Sequence, residues 1–191
     1  MHKARLETFS DGVIAIIITI MVLKLNIPQG TSGPALQPLV PIFLSYLLSF
    51  VFIGIYWSNH HHLFHAAKQV NDQVIWANLH LLFWLSLVPF TTAWMSQNDF
   101  AALPVALYGL VLLLADIAYF LLAYALVAHH GRDSSLAKAR GFEIKGKLSM
   151  ILYVVAIPLA FVSVSIAGAL YVLAAIIWLM PHARVEKMFS S

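Results

Sequence analysis

Long apolar runs separated by short polar segments dominate the chain. A helix that crosses a bilayer needs about 20 mostly apolar residues, and the sequence supplies several runs of that length with few charges inside them. The pattern therefore predicts membrane-spanning helices and no soluble core. The predicted spans are residues 6–27, 39–61, 74–96 and 103–128, followed by a charge-free stretch at 148–180.

The last apolar stretch is too long for one ordinary span. As a single helix, residues 148–180 would measure roughly 50 Å, against a hydrocarbon core of roughly 30 Å. We therefore expect a break near Ser163–Gly168. The break gives a fifth span at about 148–166 and a short sixth span at about 168–180.

The connections between the runs carry turn signals. Glycine and proline in the segment 28–34 are expected to end the first helix, and the glycines of a basic segment at 131–147 are expected to break the chain there. The first run is followed by no small-residue cleavage site, so it is expected to remain as a span. No internal repeat is visible, which predicts a single six-helix transmembrane domain over residues 1–191.

Composition supports the same class. Hydrophobic residues make up 61% of the chain and charged residues 10%, with a mean hydropathy of +0.86. Soluble domains are normally about 25% charged, so the fold class is an all-α integral membrane protein. The chain has no cysteine, which excludes disulfides and thiolate metal sites.

The distribution of basic residues predicts the orientation. With a cytoplasmic N-terminus, six spans place ten of the eleven lysines and arginines on the inner side and leave Lys24 near the outer face. Five spans would move Arg184 and Lys187 outside, so six spans with both termini cytoplasmic are favoured. The ten inner residues are Lys3, Arg5, Lys68, Arg132, Lys138, Arg140, Lys145, Lys147, Arg184 and Lys187.

The first helix has two different faces. At about 100° per residue, a stripe of mostly aliphatic side chains surrounds Ile16, while Ser10 and Asp11 lie about 120–140° away. The stripe consists of Phe9, Gly12, Ile16, Thr19, Ile20 and Leu23. Such stripes are usually ordinary packing, and Thr8 with Asp11 fits a helix-capping pair. Because the helix also carries Glu7 and Lys24, it suits lipid poorly on any side and is expected to lie inside an assembly.

A histidine cluster lies at the inner end of the second predicted span. His61 and His65 have a spacing that suits a metal, but the remaining histidines are scattered, so a membrane-bound metal oxidoreductase is weakly supported. Histidines at this depth instead predict a hydrogen-bonded network with Ser10, Asp11 and Asn78. Solvated interfacial histidines are the alternative. The cluster consists of His60, His61, His62 and His65, after Trp57.

Asp116 is an isolated carboxylate in the fourth predicted span. It is a candidate for binding a proton or cation, although the nearby Tyr108 and Tyr119 favour a structural hydrogen bond equally. A proton-coupled transporter that relays protons through Asp11, Asp116 and His60–His65 is therefore the alternative function. Saturable, pH-driven uptake would favour that alternative.

Taken together, these motifs resemble the bacterial homologues of transmembrane protein 175, the endosomal and lysosomal potassium channel. The similarity runs from Arg5 to about Thr92. It rests on Arg5-x-x-x-Phe9-Ser10-Asp11-Gly12, Trp57-x-x-His60-His61, Asn78-Leu79 and Pro89-Phe90-Thr91.

The resemblance implies roles for particular residues. Ile16 would form the narrowest point of a pore lined by the first helix, Ile20 and Leu23 further rings toward the outside, and Thr19 a contributor to cation selectivity and binding. The helical wheel alone does not choose Ile16 over Ile20. The motif network of Arg5, Phe9, Ser10, Asp11 and Trp57 would be completed by a histidine, His60 or His61, and an asparagine, Asn78 or Asn71.

The resemblance also implies a function and an assembly. Bacterial relatives have one repeat and form homotetramers, so the expected protein is a homotetrameric, multi-pass channel in the bacterial plasma membrane. Its permeant ion would be K⁺, with monovalent cations and the lipid bilayer as partners and no cofactor, resident metal, nucleic acid or enzymatic activity. No Thr-Val-Gly-Tyr-Gly loop is present. Selectivity would therefore be modest and come from a dehydrating aliphatic ring, which can also gate by dewetting.

Overall fold

The computed structural model describes residues 3–28, 30–130 and 140–180. All regular structure in these residues is helical, which confirms the all-α prediction for the described part of the chain. The helices are α1 (Lys3–Leu23), α2 (Val40–Ala66), α3 (Asp72–Ser86), α4 (Val88–Gln97), α5 (Ala102–His130), α6 (Arg140–Leu159) and α7 (Val164–Leu179), with a 3₁₀ helix at Gly33–Leu39.

Six of these segments correspond to the predicted spans, with α3 and α4 counted as one. Within the described residues, four helical segments are long and apolar enough to cross a bilayer. The α6 helix has 20 residues, or about 30 Å, and α7 is a shorter apolar helix of 16 residues. The four are Lys3–Leu23, Gly33–Ala66, Asp72–Gln97 and Ala102–His129.

The bundle is organised around α5. This helix packs against α3, α4, α6 and α7, whereas α1 packs against α2, α3 and α4. The interior is apolar and tyrosine-rich, and several of the largest buried side chains belong to α5, α6 and α7. The first helix therefore lies toward one edge of the protomer, with part of its surface left uncovered by this chain.

The ends of the first two long helices differ from the predicted boundaries. α1 ends at Leu23 and not at residue 27. The next two amides donate to carbonyls three residues earlier, Lys24 N to Met21 O and Leu25 N to Val22 O, which forms a tight turn in place of a further α-helical turn. Pro28 disfavours helical backbone at the preceding residue, which agrees with the early end. α2 continues to Ala66 and not to residue 61, so the whole histidine cluster is helical.

Pro89 divides the third predicted span into two helices. α3 ends at Ser86 and α4 begins at Val88, with the proline in the first turn of α4. Proline has no amide hydrogen and cannot continue the hydrogen-bond ladder, and its fixed φ suits a helix start. The span is therefore broken where the sequence predicted one continuous helix.

The basic segment at 131–147 is not a loop throughout. α6 begins at Arg140, so the predicted breakers Gly141 and Gly146 lie within a helix. A Cβ at Gly146 would lie 2.1 Å from the ring of Phe120 on α5, so the glycine lets this ring approach the α6 backbone closely. Four of the basic residues counted for orientation, Arg132, Lys138, Arg184 and Lys187, lie outside the described residues.

The break between the last two helices comes slightly earlier than predicted. α6 ends at Leu159, and Ser163 is the N-cap of α7. The amide of Ser163 donates to the Leu159 carbonyl at 2.8 Å, which closes the turn. Gly168, expected to belong to the break, lies inside α7.

A second close approach involves Gly109 on α5. A Cβ there would lie 2.0 Å from the hydroxyl of Tyr171, and that hydroxyl is already held by the Val105 carbonyl at 3.1 Å. We expect Gly109→Ala to lower the free energy of unfolding by about 1–3 kcal/mol, because Tyr171 must move and lose its hydrogen bond. Thermal denaturation in detergent would measure the loss.

Gly168→Ala is the matched control for this prediction. Gly168 is also helical, but a Cβ there would meet nothing within 4 Å. Alanine is favoured over glycine in helices by about 1 kcal/mol, so this variant is expected to be neutral or slightly more stable. Equal effects of the two substitutions would contradict the close packing of α5 and α7.

Candidate functional site

The two faces of α1 have different environments. One face is buried against α2, α3 and α4, through Leu6, Ser10, Ile14, Ile17 and Met21. The opposite face is uncovered in the protomer: Ile16 is 58% exposed, Ile20 40% and Leu23 80%. The stripe identified on the helical wheel is therefore the face that this chain leaves without packing.

Thr19 lies on the uncovered face. Its hydroxyl donates back to its own helix, at 2.9 Å from the Ile16 carbonyl and 3.2 Å from the Ala15 carbonyl. The hydroxyl proton is thus used locally, while the oxygen retains lone pairs that face outward. This geometry suits an oxygen that accepts from water or contacts a cation.

An open groove of about 610 Å³ runs between α1 and α4. Ile16 and Ile20 form one wall, and Phe90 and Trp94 contribute to the other. Lys24 also lines this groove, directly after the C-terminal end of α1. The uncovered surface of the protomer therefore extends from the aliphatic stripe onto α4.

Ser10 anchors the buried face of α1. Its hydroxyl donates to the Leu6 carbonyl at 2.8 Å and accepts from the Asn78 side-chain amide at 2.9 Å. The amide oxygen of Asn78 lies 2.8 Å from Nε2 of His60. Since the amide nitrogen of Asn78 already donates to Ser10, its oxygen accepts, and His60 is the donor through Nε2.

This three-residue chain is fully buried. Ser10, His60 and Asn78 each have 0% exposure, and the His60 ring stacks on Phe64 at 4.4 Å between centroids. Buried hydrogen bonds of this kind fix helices relative to each other because each lost partner leaves a costly unpaired group. The chain joins α1, α2 and α3.

A second set of contacts lies closer to the surface. The indole nitrogen of Trp57 donates to Oδ1 of Asp11 at 3.0 Å. Trp57 stacks on His61, and Nδ1 of His61 lies 3.4 Å from Oε1 of Glu7. Both acidic side chains of the motif region are therefore held by α2.

The structure distinguishes the alternatives that the sequence leaves open. Asn78 bonds to Ser10 directly, and His60 bonds to Asn78. His61 instead contacts Glu7. Asn71 is the N-cap of α3, where its side chain accepts from the Val74 amide at 3.0 Å. It contacts His129 and not the motif.

The remaining motif residues lie outside these contacts. Arg5 is exposed and has no ion-pair partner within the described part of the chain. Phe9 is 51% exposed and lies on the same side of α1 as Ile16. The protomer therefore holds Ser10 and Asp11 and leaves Arg5 and Phe9 at the uncovered surface.

Some contacts were not predicted from the sequence. Asp116 accepts from the Tyr56 hydroxyl at 2.9 Å, and not from the tyrosines near it in the chain. Tyr108 instead bonds to Ser49 at 3.0 Å, and Tyr119 contacts the Asn59 carbonyl at 3.4 Å. The signal available in the sequence was the polar content of α2: Tyr56 bonds to α5, whereas the next residue, Trp57, bonds to α1.

The described residues contain no cluster of side chains that could bind a metal ion. Within those ranges, no group of three or more histidine, aspartate and glutamate side chains is arranged to hold a metal ion. His61 and His65 do stack, at 6.1 Å between ring centroids. The carboxylate of Glu7 contacts His61, so this group is a pair and not a three-ligand site.

Comparison with known proteins shows that this chain is similar to ion channels. The family model described as endosomal/lysosomal potassium channel TMEM175 matches residues 5–89. A protein named as a potassium channel from Chryseobacterium sp. (strain P1-3) is 51% identical over 187 residues, covering 98% of this chain and 97% of its relative. The human endosomal/lysosomal proton channel TMEM175 is 35% identical over 96 residues, which are 44% of this chain and 19% of the human protein.

A solved structure shares the fold. The crystal structure of a lysosomal potassium-selective channel TMEM175 homologue from Chamaesiphon minutus superposes with a TM-score of 0.74 at 29% identity. It covers 92% of this chain and 95% of the crystallised one. The sequence match over almost the full length and the shared fold agree. The chain therefore belongs to the TMEM175 family, a family of potassium channels and not of enzymes.

Proposed function

We propose that four copies of this chain form a modestly selective potassium channel in the bacterial plasma membrane, with its termini in the cytoplasm and α1 lining the pore. The single observation that carries the proposal is the division of α1 into an anchored face and an uncovered aliphatic stripe. A stripe that is uncovered in the protomer becomes a continuous lining when four copies surround an axis. The names of the relatives supply the permeant ion.

Ile16 forms the narrowest ring in this proposal, with Ile20 and Leu23 as further rings. Four branched aliphatic side chains around a narrow opening exclude water, and such constrictions close by dewetting. Thr19, between the rings, offers an oxygen with free lone pairs. Partial dehydration at the rings and contact at the hydroxyls would favour K⁺ over Na⁺ only modestly.

The motif network has a positioning role in the proposal. Ser10, Asp11, Trp57, His60 and Asn78 lie on the side of α1 away from Ile16. They hold the rotation of α1 relative to α2 and α3. Arg5 and Phe9, which are uncovered in the protomer, would complete the motif by contacting a neighbouring subunit.

Protons are a second candidate permeant. The human relative is named a proton channel, and Asp11 is a carboxylate near the inner end of α1. The candidates are separated by measuring flux in liposomes with opposed potassium and sodium gradients, and proton flux with a trapped pH indicator. Potassium flux that exceeds sodium flux supports the proposal. Saturable, pH-driven uptake would overturn it in favour of a transporter.

Cysteine substitution tests which face of α1 meets the pore. The natural chain has no cysteine, so one introduced thiol is the only target for a reagent. We expect a thiol reagent added to liposomes to reduce potassium flux through Ile16→Cys by about tenfold, because a bulky adduct fills the constriction. Flux through reconstituted protein before and after the reagent is the measurement.

Ile17→Cys is the matched control for this experiment. Ile17 is the next residue and borders the same groove, but only 4% of it is exposed because it packs into the protomer. Its thiol is expected to remain unmodified and its flux unchanged. Inhibition of the Ile17 variant together with an unaffected Ile16 variant would place the opposite face of α1 at the pore.

A further inference from the structure

Asp116 has an incompletely satisfied carboxyl group deep in the bundle. It lies in the middle of α5 and is 2% exposed. Its Oδ1 accepts from the Tyr56 hydroxyl at 2.9 Å. Its Oδ2 is buried and has no hydrogen-bond partner in the described ranges.

A small cavity adjoins this carboxyl group. Its volume is about 10 Å³, which is near the minimum that holds one water molecule. Side chains of α2, α5, α6 and α7 enclose it: Phe52, Ile55, Tyr56, Asn59, Asp116, Tyr119, Tyr153 and Trp178. The cavity therefore lies on the side of α2 away from its contacts with α1.

The groups that face Asp116 are uncharged. The titratable side chains in the wall are phenols, namely Tyr56 on α2, Tyr119 on α5 and Tyr153 on α6, while α7 contributes Trp178. The nearby cationic or basic residues on these helices are engaged elsewhere. His60 bonds to Asn78, and Lys145 donates to the carbonyls of Trp178 and Met180 at the end of α7.

These surroundings do not stabilise an ionised carboxylate or a metal ion. An unpaired buried charge costs several kcal/mol, and such groups are neutralised or paired in membrane interiors. A divalent cation needs about six oxygen ligands, which this wall and volume do not supply. A proton needs no volume, and it converts Oδ2 from an unpaired acceptor into a donor that points into the cavity.

We propose that Asp116 is a proton-binding site outside the pore, occupied at neutral pH, with Oδ2 carrying the proton and Oδ1 remaining the carbonyl oxygen that accepts from Tyr56. The inference does not depend on the assignment of Ile16 as the constriction. The site shares α2 with the anchoring network, because Tyr56 is followed directly by Trp57, which holds Asp11. It assigns to Asp116 a bound proton and not a place on a transmembrane relay.

Infrared spectroscopy of the full chain in lipid tests the proposal. We expect a carbonyl stretching band of a protonated carboxylic acid that moves to lower frequency in D₂O and is lost in Asp116→Asn. Asn retains the acceptor for Tyr56 and is uncharged, so this variant is expected to keep its oligomeric state. A wild-type protein without such a band would overturn the proposal, and so would an Asp116→Asn variant that retains it.

Two further variants place the proton. Tyr56→Phe is expected to keep the band but move it to higher frequency, because the carbonyl oxygen loses its hydrogen bond. Asp11→Asn, which alters the other carboxylate held by α2, is expected to leave the band unchanged. A Tyr56→Phe band at the wild-type frequency would contradict the assignment to Asp116. Replacing K⁺ and Na⁺ by choline is expected to change nothing, and a band that appears only in choline would indicate that a metal cation occupies the site in place of the proton.

Discussion

Ile16→Asn is expected to raise potassium flux through reconstituted protein by about tenfold, equivalent to a barrier lower by about 1.4 kcal/mol. Four polar amides in place of four isoleucines would hydrate the constriction and remove the dewetting barrier. In the proposed channel the same ring also contributes selectivity through dehydration, so the ratio of potassium to sodium flux is expected to fall toward one. Flux from loaded liposomes under each ion gradient measures both effects.

Val22→Asn is the matched control. Val22 is an exposed aliphatic residue on the same helix, 45% exposed, but it lies about 120° around the helix from Ile16. It is expected to leave potassium flux within about twofold of wild type. An equal rise in both variants would indicate a general leak, and an unchanged Ile16→Asn would remove Ile16 from the constriction.

The second large effect is expected from Asn78→Leu. The substitution removes the hydrogen bonds to Ser10 and His60 and leaves an imidazole with 0% exposure without a partner for Nε2. We expect the free energy of unfolding to fall by about 2–4 kcal/mol, because an unmatched buried polar group bears its full desolvation cost. Heating in detergent followed by size-exclusion chromatography would measure the lower melting temperature.

The specificity of that loss can be tested by control and by rescue. Asn98→Leu removes an exposed amide that bonds to the Trp94 carbonyl at 2.9 Å, and it is expected to cost less than about 1 kcal/mol. Combining Asn78→Leu with His60→Phe removes the unpaired imidazole, so the double variant is expected to recover part of the stability. If Asn78→Leu is as mild as Asn98→Leu, the chain from Ser10 to His60 does not anchor α1.

The sequence predicted the helical class and the two faces of α1 because both depend on local periodicity. Apolar runs of bilayer length predict helices directly, and the angle between Ile16 and Ser10 follows from helix geometry alone. The identity of the histidine that bonds to Asn78 could not be predicted from local periodicity. His60 and His61 are adjacent, and which of them faces α3 depends on how α2 is rotated by packing.

Other differences also come from contacts between helices distant in sequence. Phe120 of α5 packs closely against Gly146 of α6, a pairing that no local pattern shows. The hydrogen-bond partner of Asp116 is Tyr56, which is 60 residues away in the chain. Proximity in sequence therefore indicated the wrong tyrosines. Pro89 was visible in the sequence, but whether a proline bends or divides a membrane helix depends on the groups around it.

The separation of the two faces of α1 has an evolutionary consequence. Ser10, Ile14 and Ile17 secure the helix within one protomer, whereas Ile16, Thr19 and Ile20 lie on the face that the protomer leaves exposed. Substitutions on the uncovered face therefore change little of the packing that stabilises an individual protomer. In the proposed channel, conductance and ion preference can therefore differ between related chains through a few changes on that surface, while the opposite side of the same helix maintains the fold.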